Sequence, residues 1–178
     1  MEQPAQRRPL AGGCASPVAV GNPNGATKPR PAWPDIFWVT PTPVQLRTRE
    51  ALAYVTIIGS AALATADERV LALAEGALQR GDTIAQLEGH APAIQWDHLG
   101  PPRSIEELAT RLVYGHVADV VMRAAHQCQD LSQVRSQARK LAKEARLWVT
   151  PALAVLGLRL DALMIDRLED DSRWEHEA

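Results

Sequence analysis

The side chains with the most direct potential for chemistry are four metal-ligating groups between residues 90 and 119. His116 and Asp119 are three positions apart, so on a helix they share a face. His90 and His98 fall in a loop that the fold could bring to that face. Imidazole and carboxylate groups together suit a transition metal. The spacing matches neither H-E-x-x-H nor a Cys/His quartet, so ordinary histidines are the preferred interpretation and a metal site or helical enzyme the alternative.

A basic stripe is the second candidate site. Residues 131–146 carry five cations and one acid, a net charge of +4. Four of the cations project within about 80° of one another on a helix, namely Arg135, Arg139, Lys143 and Arg146. Such a stripe could follow the phosphates of a nucleic acid. The alternatives are a solvated helix face, or a face paired with the acidic C-terminal segment that begins at Asp161.

Aromatic side chains mark a third candidate, a surface for a partner protein. Trp33, Phe37 and Trp38 lie in a proline-rich segment, 33–42, and Trp96 lies in the loop between Gly89 and Pro102. We expect the segment to dock on its own domain as an extended strap. A short linear motif for a partner and a frayed segment are the alternatives. Trp96 is expected to plug its loop onto the core, and it becomes a contact residue if it is exposed.

Nucleophilic catalysis has little support in the sequence. The one candidate pair, Cys128 and His126, is two positions apart, so on a helix the two side chains point away from each other. No G-x-S-x-G or Walker lysine motif is present. We therefore predict no catalytic residues and no cofactor, and favour a protein that is not an enzyme.

Composition limits the class of protein. The chain has 178 residues, 46% of them apolar, and a net charge of -2, so it is too apolar to be disordered throughout and too short for a (β/α)8 barrel. Two cysteines exclude a disulfide framework. No run reaches the roughly 20 apolar residues of a membrane span, and we expect no membrane and a cytoplasmic location. Arginine outnumbers lysine 16 to 3, as is typical of GC-rich bacterial genomes.

The distribution of prolines predicts the domain organisation. Nine of the 13 prolines lie at or before Pro43, which leaves two long windows without proline. We predict a disordered basic arm over 1–32, the tryptophan- and proline-rich strap over 33–42, a single helical domain over 43–171 and an acidic tail over 172–178.

Capping signals then predict the helices. A threonine followed by proline at Thr42 and at Thr150 indicates a helix start in each place, and the boxes Thr65–Glu68 and Ser104–Glu107 indicate two more. The predicted helices are 43–64, 66–79, 83–88, 105–128, 131–149 and 151–171. No stretch shows sustained apolar alternation, so no sheet is expected. The predicted fold class is all-α, a five- to six-helix bundle with a disordered N-terminal arm.

The preferred function follows from the abundance of apolar helix surface. The predicted last helix carries only Arg159 and Asp161 as charges between Ala152 and Ile165, so it is either the centre of the bundle or a self-association surface. We expect a non-catalytic interaction or regulatory protein that acts through protein-protein contacts, including a homodimer. A nucleic-acid-binding accessory protein is the first alternative, and a metal binder or helical enzyme the second.

Overall fold

The computed structural model describes residues 32–81 and 99–171, which belong to one compact unit. The strands are β1 (Ile36–Val39), β2 (Val44–Arg47), β3 (Leu52–Thr65) and β4 (Leu158–Asp170). The helices are α1 (Glu68–Gln79), α2 (Ile105–Ala125), α3 (Leu131–Ser136) and α4 (Ala138–Ala154). The predicted arm 1–32, apart from Ala32, the predicted helix 83–88 and the tail 172–178 lie outside the described residues.

The prediction of an all-α bundle of five or six helices is wrong. The described part of the chain forms a four-stranded antiparallel sheet with four helices. The predicted helical domain 43–171 is therefore mixed: its first predicted helix is replaced by β2 and β3, and its last by β4. Both errors fall on long apolar runs in which the two-residue alternation of inward and outward side chains is not visible as a pattern of apolar and polar residues.

Strand β3 is the centre of the sheet. Val55 pairs with Val44 on one side and with Asp170 on the other, so β2 and β4 flank β3 on opposite edges. Strand β1 pairs with residues 58–61, along which β4 also runs, so β1 shares the edge that β2 occupies. Together β1 and β2 form one interrupted strand beside β3.

The interruption between β1 and β2 corrects the prediction of a helix start at Thr42-Pro43. Prolines 41 and 43 have no N–H for the ladder, and the register of pairing with β3 shifts across them. Thr40 keeps the chain attached: its N–H donates to the Ile57 carbonyl at 3.0 Å, and its hydroxyl accepts from the Ile57 N–H at 3.0 Å. The prolines therefore end a strand here.

The two faces of β3 differ in side-chain size. Val55, Ile57 and Leu63 are buried on the face that also carries Ile36 and Trp38 of β1. The other face carries mainly small residues, Thr56, Ser60, Ala62 and Ala64, which are partly exposed. Because alanine is counted as apolar, the alternation is invisible in a pattern of apolar and polar residues. Side-chain volume and the β-branched run 55–58 are the features that indicate a strand.

Strand β4 has two irregularities that disguise its period. Its pairing with β3 shifts between Ala62 and Leu63 and again between Ile58 and Gly59, which leaves Asp161 and Asp166 as extra residues. Its inward-facing residues therefore follow one another at spacings of two and three, and they are Leu158, Leu160, Leu163, Ile165 and Leu168. That mean spacing lies between the period of a strand and that of a helix, so the predicted helix 151–171 is wrong.

Helix starts were predicted better where a side-chain cap exists. Helix α2 begins after Ser104, whose hydroxyl accepts from the Glu107 N–H, as the capping box predicts. Helix α3 begins after Asp130, where either Asp130 or Ser132 could start the predicted helix 131–149, but it ends at Ser136 and a separate helix, α4, begins at Ala138. Helix α1 is capped by Asp67 and not by Thr65, because Thr65 is the last residue of β3.

Helix α4 passes through the position where a new helix was predicted to start. Thr150 donates its hydroxyl to the Arg146 carbonyl one turn earlier, and Pro151 lies inside the helix, which ends at Ala154. A threonine that bonds back to its own helix cannot act as a cap. The Thr150-Pro151 pair thus marks the last turn of α4.

The core lies between the sheet and the helices, and α2 is its central helix. Thirteen of the 21 residues of α2 are buried. It packs against α4 and against β1 and β2, whereas α4 packs on β4. The centre of the domain is therefore α2, and the segment once expected to be a central or self-associating helix is the strand β4 at the edge of the sheet.

Candidate interaction surface

Among residues 32–81 and 99–171, the helices pack on one face of the sheet, and no described element covers the opposite face, called here the open face. On the open face, Phe37 and Met164 lie on either side of Ser60, in one row across β1, β3 and β4. Phe37 is 64% exposed and Met164 is 56% exposed. Large apolar side chains at this exposure lie in water at a cost, and they indicate a contact surface when they are contiguous.

The neighbouring rows extend this surface. Val39, 48% exposed, is paired with Ile58, and Ala62 is paired with Ala162. We call the set the open-face patch, defined as Phe37, Val39, Ser60, Ala62, Ala162 and Met164, whereas Ile58 on the same face is buried. Its alternation with buried residues on β1 and β4 follows from the two-residue period of a strand, which turns Ile36 and Trp38 inward and Phe37 and Val39 outward.

Charged side chains border the patch along β4. Arg159 and Asp161 form an ion pair at 2.7 Å, and Arg167 and Glu169 form one at 3.2 Å. The hydrogen bond from Arg159 lowers the pKa of the Asp161 carboxyl below its ordinary value and raises that of Arg159 above its own. An apolar centre with a charged, solvated rim is the usual composition of a protein interface.

The predicted basic stripe is divided by the structure. Arg135 donates to the Leu168 carbonyl at 2.9 Å, and Arg146 donates to the Leu160 carbonyl at 3.2 Å. Both acceptors belong to β4, so the two ends of the stripe hold the backbone of this strand. The acidic side chains of β4 take little part in this contact, since Asp161 and Glu169 pair with arginines of β4 itself.

The middle of the stripe remains exposed. Arg139 and Lys143 of the stripe, with Lys140 beside them, are exposed on α4, and none of the three has an ion-pair partner in the part of the chain that the structure describes. One to two turns further along lie Leu147, 74% exposed, and Trp148, 50% exposed. The Arg123 guanidinium lies 5.5 Å from the centroid of the Trp148 ring, a cation–π contact.

The predicted metal ligands are not brought together by the described structure. His116 is buried within α2, and Asp119 forms an ion pair with Arg123 at 3.0 Å. Across residues 32–81 and 99–171 no three His, Cys, Asp or Glu side chains form a group that could hold a metal ion. His90 and His98 lie outside those residues.

The aromatic candidates fall into different environments. Trp38 is buried in the core, and Trp33 is partly buried and packs against the core. Phe37, on the opposite face of β1, is exposed. Trp96 lies outside the described residues. Sequence reasoning identified Phe37 but missed Val39 and Met164, and a strand assignment for 36–39 and 158–170 would have placed all three on one face. Cys128 is buried, and the Gln137 side-chain amide donates to its sulfur at 3.4 Å.

A polar group at the start of α2 anchors the preceding chain. Arg111 donates to the carbonyls of Leu99 and Gly100 and forms an ion pair with Glu107. The Arg103 N–H, which donates to Glu107 at 2.8 Å, and the Arg111 guanidinium together lower the pKa of Glu107. Burial raises the pKa of Tyr114, one turn further along, to about 12. These contacts hold a loop in place and leave no unpaired acid or base for catalysis among them.

None of the described helices has both the length and the hydropathy that crossing a membrane requires. Comparison of the chain with protein-family models, with curated proteins and with solved structures finds no match.

Proposed function

We propose that this protein is a non-catalytic interaction protein whose contact surface is the open-face patch of its sheet. The observation that carries the proposal is the row Phe37–Ser60–Met164, in which two large apolar side chains are exposed on either side of Ser60 on the face opposite the helices. The partner class is a protein, because the patch combines apolar side chains with rim charges of both signs.

The energetics favour contact over solvation for this surface. Covering a side chain the size of phenylalanine or methionine contributes about 1.5–3 kcal/mol relative to leaving it in water. Phe37 and Met164 are held in place by the sheet, so covering them requires little ordering of the backbone. A rigid apolar surface of this kind supplies the central residues that dominate the affinity of many interfaces.

Photo-crosslinking from position 37 tests the patch directly. With Phe37 replaced by benzoylphenylalanine in the full chain, irradiation of living cells is expected to give discrete covalent adducts. Because Met164 belongs to the same patch, the added change Met164→Lys places a charge in the contact. It is expected to reduce the adduct yield about tenfold or more, the equivalent of 1.4 kcal/mol. Adduct yields are compared on denaturing gels and by mass spectrometry.

Two controls make the crosslinking result specific. The same photo-reactive residue at Leu73, which is 72% exposed on α1 and away from the sheet, should give few adducts, and Leu147→Lys on α4 should leave the yield from position 37 unchanged. Equal yields from positions 37 and 73, or a yield that Met164→Lys does not change, would contradict a contact surface on the open face.

Nucleic-acid binding is a second candidate, favoured by the unpaired cations Arg139 and Lys143 and by Trp148 beside them. Cations that follow a backbone, together with an aromatic ring on which a base can stack, are the elements of single-strand binding. Arg135 and Arg146 are left out of the test, because each also donates to a β4 carbonyl and its replacement would disturb that strand.

A charge reversal restricted to the middle of the stripe tests this candidate without disturbing β4. The double change Arg139→Glu and Lys143→Glu is expected to weaken binding of a single-stranded 20-mer about tenfold or more at low salt, because two phosphate contacts become repulsive. Fluorescence anisotropy between 50 and 200 mM salt measures it. The matched control is Arg49→Glu with Arg69→Glu, and equal affinities for the two double variants would rule the candidate out.

A further inference from the structure

The outer edge of β4 has free ladder positions whose direction can be assigned. Ile57 directs both its N–H and its carbonyl to Thr40, so the odd-numbered residues of β3 bond toward β1 and β2 and the even-numbered ones toward β4. The β4 residues that pair with odd-numbered residues of β3, among them Leu163 and Ile165, therefore direct their N–H and carbonyl groups away from β3. No strand of the described chain pairs with that edge.

Four of the six charges of β4 are complementary to their own reverse order, and the other two, Asp166 and Asp170, fall opposite Ala162 and Leu158. Reading outward from Met164 in both directions, Asp161 stands at the same distance as Arg167, and Arg159 at the same distance as Glu169. The apolar residues follow the same symmetry, since Leu163 matches Ile165 and Leu160 matches Leu168. Members of each matched apolar pair face the same side of the sheet. An antiparallel copy of this strand would thus meet an opposite charge at four of its charged positions and equivalent apolar groups around Met164.

We propose that β4 pairs with β4 of a second copy of this chain, antiparallel, about a twofold axis at Met164. This inference goes beyond the proposed function, because the contact is made by the edge of the sheet and not by its open face. Met164, whose own backbone groups bond toward β3, then meets the partner's Met164 as a non-hydrogen-bonded pair, the type in which side chains approach most closely. The two sheets join into one sheet of eight strands.

Four ion pairs cross the axis in this arrangement. Asp161 lies opposite the partner's Arg167 and Arg159 opposite the partner's Glu169, and the twofold axis repeats each pair once. In the single chain these groups already pair along β4, at 2.7 Å and 3.2 Å, so each cross-strand pair would give the carboxylate a second cationic partner. Opposite charges directly across two strands stabilise their pairing.

The arginines of the helices limit the length of the pairing. Arg135 and Arg146 occupy the Leu168 and Leu160 carbonyls, which point to the outer edge at equal distances from Met164. The ladder between copies is therefore confined to residues 161–167, in which Leu163 and Ile165 exchange hydrogen bonds with their counterparts. Charges and bulges of this kind also protect edge strands from pairing, but protection alone does not require that the charges match their own reverse order.

A charge exchange distinguishes pairing from protection. In the variant Arg167→Glu, Asp161 of one copy faces the new glutamate of the other, and in Asp161→Arg the new arginine faces Arg167. Both contacts are repulsive, so each variant alone should self-associate at least about tenfold more weakly than the parent. When the two variants are mixed in equal amounts, a dimer of one copy of each has an acidic residue opposite an arginine at both cross-strand positions. Sedimentation velocity and native mass spectrometry should then show the mixed 1:1 dimer at close to the parent affinity.

Further variants control for folding and check the register. Both changed residues are exposed, circular dichroism confirms that each variant folds, and Arg69→Glu on α1 repeats the charge change away from the edge and should leave the dimer intact. In a Cys14→Ser background, Met164→Cys should oxidise to a covalent dimer, because the two thiols meet at the axis. Ala162→Cys, off the axis, should not.

The outcomes separate this inference from the proposed function. A parent chain that stays monomeric at high micromolar concentration, or a mixture of the two charge variants that forms no 1:1 dimer, overturns β4 pairing. Adducts from position 37 that contain a different protein would then still support the open-face patch. If the mixed dimer forms but position 37 gives no adducts, the edge pairing stands and the proposed function of the open face fails.

Discussion

Replacing Gly157 with alanine is expected to lower the free energy of unfolding by about 2–5 kcal/mol, the sum of a left-handed backbone cost and a steric one. Gly157 has φ +74°, a conformation that residues with a Cβ rarely adopt. An added Cβ would lie 2.5 Å from the Asp67 carbonyl oxygen and 2.7 Å from the Leu71 nitrogen. Both are backbone atoms, which cannot move aside without displacing α1.

The position of Gly157 explains why the effect should be large. Its carbonyl accepts from the N–H groups of Ala66 and Asp67, so the turn that starts β4 also holds the chain that leads into α1. Displacing this turn disturbs the end of β3 and the entry to α1 together. Urea unfolding followed by circular dichroism measures the loss.

Alanine substitutions at two other glycines separate the backbone cost from the steric cost of Gly157→Ala. Gly81 also has a positive φ, +66°, but nothing lies within 4 Å of its added Cβ, so Gly81→Ala should show only the backbone cost, about 1–2 kcal/mol. Gly76 lies within α1, where alanine is preferred, and its nearest contact is the flexible end of Arg80, so Gly76→Ala should be neutral or stabilising. If Gly157→Ala costs no more than Gly81→Ala, the close packing against α1 is not formed.

Gly59→Ala is expected to be the second most damaging small substitution, at about 2–4 kcal/mol. Gly59 lies directly opposite Trp38 on β1, and the indole ring covers the space that a side chain would fill. An added Cβ would overlap the ring and lie 2.5 Å from the Met164 carbonyl oxygen on β4. An aromatic ring laid over a glycine in the neighbouring strand is a known way to stabilise such a position in a sheet.

A double-mutant cycle identifies the ring as the cause. Trp38→Leu alone should destabilise, because Trp38 is 2% exposed and fills the core beside Gly59. In the Trp38→Leu background, Gly59→Ala should cost at least 1 kcal/mol less than in the parent, roughly the coupling that contacting residues show. If the losses of stability from the two substitutions are strictly additive, the ring is not the cause, and the clash is with the Met164 carbonyl alone. Thermal unfolding of the four proteins supplies the comparison.

The helix starts that could be predicted from the sequence are those set by a local hydrogen bond. Ser104 and Asp130 cap α2 and α3 through contacts that span three residues, so the signal is complete within a short window. The same window misreads Thr42 and Thr150, which have the right residue type in the wrong context. Thr150 bonds back to α4, and Thr42 lies between two prolines that interrupt a strand.

The sheet could not be derived from apolar alternation because tertiary context decides it. In β3, the open face is lined by small residues such as Ala62 and Ala64, which leave the sequence apolar on both faces. In β4, the bulges at Asp161 and Asp166 change the spacing of inward residues. Both strands pair mainly with each other, and that pairing has no local signal.

The candidate residues show the same limit. The sequence predicts 33–42 as one extended strap, but only the strand period separates buried Trp38 from exposed Phe37. Likewise, the charge of the basic stripe is evident in the sequence, whereas the carbonyls that engage Arg135 and Arg146 come from β4, more than ten residues away. Residue type indicated what each group could bind, and the fold determined which groups remain exposed.

The pairing of β3 with β4 also has a consequence for how fast the chain folds. Thr65 and Leu158 are the nearest paired residues of the two strands along the chain, and they are 93 positions apart. Every hydrogen bond of this ladder therefore closes a long loop, and topologies dominated by such distant contacts fold slowly. During synthesis, one edge of β3 stays without its partner strand until residue 158 and those after it have been made. The apolar centre of the sheet is thus exposed longest in the nascent chain, where early association between chains competes with correct folding.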